Sequence, residues 1–243
     1  MIPVLGAAAV LLAAFIKGAI GFGFPTIGTP LLSLVIDVKA AVVVLIVPNI
    51  VMDGLQFARR GAPLATVRRF AMLLVFGAVG TVLGTRLLVA LSSRTATLIL
   101  GGFVVAFVLL NLTGTTPRVP AGWEPWLSPV TGLLVGVVGG ITNVPGTPLV
   151  MYFQALGMAK GEFVSSVAFT FVVYKLVQLA AVVYYGLLPW SLVSVSGLLT
   201  AVALAGFAVG LMVQDRLDPR AFNRAVLGFL GALGVWLVAR SVW

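Results

Sequence analysis

Apolar residues run almost unbroken along this chain, in stretches near 3–22, 25–36, 38–57, 70–90, 96–112, 127–141, 147–156, 163–185, 190–213 and 221–242. Charged residues are confined mostly to the gaps. A helix needs about 20 residues to cross the hydrocarbon core of a bilayer. The longer stretches reach or approach that length, but 25–36 and 147–156 fall far short, and each follows a glycine-rich break. The pattern predicts, at each break, a helix descending into the membrane, a non-helical tip, and a short helix leading back out.

The breaks repeat. Gly18–Leu32 aligns without a gap on Gly136–Val150, bringing Gly18, Gly21, Gly28, Thr29, Pro30 and Leu31 onto Gly136, Gly139, Gly146, Thr147, Pro148 and Leu149. Further on, Gly80, Gly84, Leu91, Arg94, Gly102 and Phe103 align in the same order on Gly206, Gly210, Leu217, Arg220, Gly228 and Phe229. Self-similarity at one nearly constant offset predicts two homologous halves. They are read as repeats at 1–115 and 127–243, joined by an irregular cytoplasmic linker at 116–126.

Loop charges then orient the halves. Arg59, Arg60, Arg68 and Arg69 crowd the loop after residue 57, whereas its counterpart near 185–190 is uncharged. Between the next pair of stretches the bias reverses, with Arg94 alone in the first half against Arg216, Arg220 and Arg224 in the second. Positive loops face the cytoplasm. With the Arg59 loop inside, Arg118 and Lys160 also lie inside, and Lys39, Arg94 and Arg240 outside. The predicted fold is an all-α polytopic membrane protein made of two inverted repeats. Each is a glycine-broken re-entrant hairpin followed by three transmembrane helices, as in many secondary transporters. Whether the first hairpin arm crosses fully is left open.

Composition narrows the function. The 243 residues are 61% hydrophobic and 9% charged, with a mean hydropathy of +1.19. The stretches are too long and too continuous for an outer-membrane barrel. The net charge of +9 reports topology rather than nucleic-acid binding, since the cations sit in loops. No basic region precedes the first apolar stretch, which reads as a helix of the mature protein rather than a signal. Without Cys or His, disulfides, thiolate chemistry and the commonest transition-metal ligand are excluded. No cofactor or metal is expected, and neither a metal site nor an acid–base pair is readily assembled, so the chain is not expected to be an enzyme.

The breaks are the candidate site. A broken helix within the bilayer is tolerated only inside protein or beside water. In "GTPLL" and "GTPLV", Thr29 and Thr147 read as N-caps, and Pro30 and Pro148 as first helical residues. Two helix N-termini meeting from opposite sides would offer free N–H groups and positive dipole ends to a small anion. Glycines 21, 23, 28, 139, 140 and 146 (Gly21, Gly23, Gly28, Gly139, Gly140, Gly146) would line a narrow passage. Thr26, Thr29, Thr142, Asn143 and Thr147 would add hydrogen bonds.

"GAIGFGFPTIGTPLL", its echo "GVVGGITNVPGTPLV", and the pair "GAVGTVLGTRL" and "GFAVGLMVQDRL" resemble the TauE/SafE-type sulfite exporter family over essentially the whole chain. The resemblance implies export of sulfite, sulfoacetate or a related organosulfonate across the cell (inner) membrane. For residues it implies only the two tips, Gly21 to Pro30 and Gly139 to Pro148. The second tip reads "ITNVP" where the first has "GFPTI", so the site is expected to be asymmetric.

Charges inside the spans are functional candidates by default. Lys175 is the candidate that draws an anion into the pathway, with Tyr174, Gln178 and Gln56 as neutral neighbours. Asp53 is the one acidic residue within a span, and matching Gln56 to Gln178 places it opposite Lys175. Lys17 precedes the first glycine run and is expected to help neutralise substrate. Proton coupling has only Asp53 to use. A potential of 100 mV, negative inside, already favours anion exit by about 2.3 kcal/mol per charge. The expected partners are a small anion and the lipid bilayer; the oligomeric state is open. The alternatives are a channel-like facilitator, a carrier of another small anion or neutral solute, and a non-transport membrane assembly component.

Overall fold

The computed structural model describes residues 2–60, 64–112, 118–144, 146–214 and 219–242, and among them every regular element is a helix. The first half contains α1 (Ile2–Ile20), α2 (Phe24–Leu32), α3 (Val38–Val44), α4 (Ile46–Arg60), α5 (Leu64–Arg69), α6 (Ala71–Ala90) and α7 (Ser93–Leu112). The second contains α8 (Glu124–Thr142), α9 (Gly146–Ala155), α10 (Lys160–Tyr184), α11 (Trp190–Val213) and α12 (Pro219–Val242). A 3₁₀ turn at Ala121–Trp123 lies between them. Residues 113–117, which include the start of the expected linker, lie outside the described residues.

Among the described residues, seven segments are long and apolar enough to cross a membrane: 3–20, 38–59, 71–90, 93–112, 124–142, 161–184 and 190–213. The stretch before the first break, in α1, is among them. α12 adds a shorter apolar stretch, Val226–Ser241. Large apolar side chains such as Leu5, Met72, Val75, Leu134 and Met212 face outward, as lipid contact requires. Trp123, Trp126, Tyr184 and Trp190 are exposed near helix ends, where amphipathic rings suit the headgroup level.

The stretch 38–57, expected as one helix, is two. Pro48 has no N–H to donate to the Val44 carbonyl four residues back. The chain turns at Leu45, where Val44 ends α3, and resumes as α4.

Packing interleaves the halves. α1 lies along α11, and α8 lies along α6, each at backbone contact through glycines. A Cβ on Gly136 would sit 2.1 Å from the Gly77 carbonyl oxygen, and one on Gly84 would sit 2.2 Å from that of Val137. In the other seam, a Cβ on Gly210 would sit 2.2 Å from the Phe15 oxygen, and one on Gly18 would sit 2.4 Å from that of Phe207. Small residues let membrane helices approach this closely.

The contacts also give direction. Leu11 meets Gly206 and Phe15 meets Gly210, so α1 and α11 run parallel. Leu73, Gly77 and Thr81 meet Gly132, Gly136 and Gly140 in turn, so α6 and α8 also run parallel. Gly101 meets Leu237, while Val104 meets Gly234 and Val108 meets Gly231, so α7 and α12 run antiparallel. α4 packs on α10. At one rim, Arg69 donates to both carboxylate oxygens of Glu124, at 2.6 and 2.8 Å, and lies 3.6 Å from Glu162. The bond to Glu124 holds the guanidinium above its ordinary pKa, against some loss of solvent.

Candidate functional site

Both breaks are real, but they are built differently. α1 ends at Gly21 and α2 begins after Gly23, with φ of 100° and 98°, a conformation glycine adopts without a Cβ penalty. Pro25 occupies the first turn of α2. The helix therefore starts at Phe24, and the expectation that Thr29 caps it and Pro30 opens it is corrected: both lie inside α2. The physical reason is that two left-handed glycines end the preceding helix more decisively than a threonine can cap a new one. In the second half α8 ends at Asn143, φ 65°, and α9 begins at Gly146. Gly146 and Thr147 thus belong to its first turn, although the Thr147 side chain lies outside the described residues.

Two buried polar networks flank the packed pair α4 and α10. In one, the Lys175 ammonium donates to Oδ1 of Asn143, to the Asn143 carbonyl at 3.4 Å and to Oε1 of Gln178 at 2.6 Å. Asn143 donates from its amide to Oγ1 of Thr29 at 3.2 Å, tying the second break to the short helix of the first. Gln178 donates to the Gly139 and Gly140 carbonyls in the last turn of α8, at 3.2 and 3.3 Å; the Gly139 carbonyl also accepts the Asn143 N–H at 2.9 Å. Lys175 is 1% exposed, and its hydrogen-bond partners are all neutral.

In the other network Lys17, in the last turn of α1, pairs with Oδ1 of Asp53 at 2.5 Å. Gln56 donates to the Gly21 carbonyl at 2.5 Å. Asp53 Oδ2 and Gln56 Oε1 have no hydrogen-bond partner among the described residues. The networks correspond: Asp53 and Lys175 each precede by three residues a glutamine bound to the carbonyl of an aligned glycine, Gly21 or Gly139.

A cavity of about 290 Å³, lined by Gly21, Gln56, Arg59, Val164, Phe207, Leu211 and Gln214, lies on the Lys17 side. Another of about 450 Å³ lies at the opposite end of the helices, with Ser33, Asp37, Arg94 and Arg240 among its walls. The two networks sit between these cavities.

Other sequence candidates are placed elsewhere. Tyr174 turns to α6, where its hydroxyl donates to the Leu73 carbonyl at 2.7 Å in the space left by Gly77. Thr142 bonds locally to the Val138 carbonyl and the Val144 N–H. Gly28 is packed against Ala13 and Leu45. Gly23 and Thr26 line a narrow, mostly apolar cleft with Ile16, Phe107 and Leu230. Sequence reading missed Asn49, which is fully buried with neither amide atom bonded among the described residues. Its signal was present, since Asn49, Asp53 and Gln56 recur at helical spacing on one face of α4.

Long apolar helices broken around buried polar groups define a multi-pass helical membrane protein of the transporter type. A family model described as sulfite exporter TauE/SafE matches residues 6–237, and the chain belongs to that family of membrane transporters. No curated protein and no solved structure matches the chain.

Proposed function

We propose that the protein exports a small sulfur-containing oxyanion, such as sulfite, sulfoacetate or a related organosulfonate, from the cell across its inner membrane. The observation that carries this reading is Lys175, a buried ammonium held at the second break by Asn143 and Gln178, which is linked through Asn143 to Thr29. A buried cation among neutral donors and acceptors calls for an anion, because an unmatched charge at this depth is costly. Thr29, Gly139, Gly140, Asn143, Lys175 and Gln178 form the substrate site in this proposal.

The inverted architecture is part of it. Equivalent helices α7 and α12 run antiparallel, and the pairings α1 with α11 and α8 with α6 exchange when the halves are exchanged. A two-fold axis that swaps antiparallel neighbours lies across the helices, in the plane of the membrane. Repeats 1–115 and 127–243 then present their hairpins from opposite sides, and the two cavities become inner and outer access routes.

The test is sulfite flux in proteoliposomes at clamped potential, comparing wild type with Lys175→Met. Saturable flux in wild type, lost in a variant that still folds, is expected. Wild type passing neither sulfite, sulfoacetate nor any other small anion refutes the reading.

A further inference from the structure

We propose that Asn49 contacts the transported anion, on a stripe of α4 that becomes the wall of the route when the helices part. The proposal rests on the anion-export reading and adds a residue to it. Five buried side-chain polar atoms have no hydrogen-bond partner among the described residues, and four of them belong to Asn49, Asp53 and Gln56. Those residues are 0%, 1% and 7% exposed. Steps of four and then three residues keep them on one face of α4, at about 3.6 residues per turn. Ile46, equally buried, belongs instead to an apolar cluster with Val43 and Val182. A buried amide without partners is costly, and packing alone gives no reason to gather such groups on one stripe. Polar side chains within spans mark substrate pathways. The partners of this stripe therefore come from the route itself: water and the passing anion.

Gln56 lies at the open end of the stripe, in the wall of the chamber of about 290 Å³ that it shares with Gly21 and Arg59. Asn49 is seven residues back, about 10 Å deeper along the helix. Asp53, between them, is already occupied on one oxygen by Lys17. Asn49 is fully buried in this conformation, so the anion reaches it only after α4 and its neighbours separate, as alternating access requires. Nδ2 of Asn49 then donates to an oxygen of the anion, and Oδ1 accepts from water. No described protein group competes for that amide, so the anion gains the whole hydrogen bond. The contact is indifferent to valence, because sulfite and a sulfonate both present oxygens on sulfur.

The chain has no cysteine, so single replacements report accessibility directly. Asn49→Cys, Gln56→Cys and Ile46→Cys in proteoliposomes are treated with a membrane-impermeant methanethiosulfonate that itself carries a sulfonate, supplied to both faces. Gln56→Cys is expected to react fastest and Asn49→Cys more slowly, while Ile46→Cys stays unmodified. Asn49→Leu keeps the size of the side chain and removes both amide groups. Its sulfite flux is expected to fall about tenfold, the loss of one hydrogen bond to a charged group. Asn49→Cys as inert as Ile46→Cys overturns the proposal, as does wild-type flux in folded Asn49→Leu. If Asn49→Leu does not fold, the cysteine comparison decides alone. A wild type that passes no anion sinks the export reading, whereas these variant results sink only the role of Asn49.

Discussion

Replacing Gly136 by alanine adds one methyl group to the α6–α8 seam. Its Cβ would lie 2.1 Å from the Gly77 oxygen and 2.7 Å from the Thr81 nitrogen, and ordinary contact begins at 3.4 Å. The helices must therefore separate by about 1.3 Å, since both obstructing atoms are backbone. Overpacking of this kind costs about 1–3 kcal/mol. A chain of this size then melts roughly 2 to 12 °C lower. The matching change in the other seam, Gly210→Ala, meets the Phe15 oxygen at 2.2 Å and should behave alike. Gly102→Ala is the control, because nothing lies within 4 Å of its Cβ and alanine is the better helix former. Thermal unfolding of the three variants in one detergent measures the difference. Transport should fall in Gly136→Ala as well, since α8 carries the carbonyls that hold Gln178, and in Gly210→Ala, since the end of α1 carries the Gly21 carbonyl that holds Gln56. If Gly136→Ala melts with Gly102→Ala, the close approach of α6 and α8 is refuted.

Asn143 combines a left-handed backbone with an amide that bridges Lys175 and Thr29, and substitution separates the two roles. Asn143→Gly should keep the left-handed turn but lose sulfite flux and the stability of the Lys175 contact, whereas Asn143→Ala should lose about 1 kcal/mol or more beyond Asn143→Gly, read as a lower melting temperature. The Arg69–Glu124 pair is partly exposed, so Glu124→Gln should cost less than about 1 kcal/mol, with a smaller difference from wild type in high salt.

The helical membrane class was legible because crossing helices must be long and apolar, a signal that no tertiary detail overrides. Glycine spacing disclosed the breaks but not the seams: Gly80, Gly84, Gly136, Gly206 and Gly210, read only as repeat markers, are the points where backbones touch. The helix start at Phe24 was misread because Thr29-Pro30 looks locally like a cap, while the competing signal, Gly21 and Gly23, was assigned to the passage. The division at Leu45 was missed although Pro48 announces it. The Lys17–Asp53 pair was hidden for another reason. Its members are 36 residues apart, and only the return of the chain through α2 and α3 brings them together.

The interleaved seams have a consequence for how the protein is made. α1 is synthesised long before the helix it lies against, α11, which is completed only at Val213. At 5–20 residues per second that wait is roughly 10 to 40 s. Throughout it the glycine face of α1 must be sheltered by lipid or by the insertion machinery. α1 thus waits long for the partner on its glycine seam, and a ribosome that stalls before α11 leaves that face of α1 uncovered.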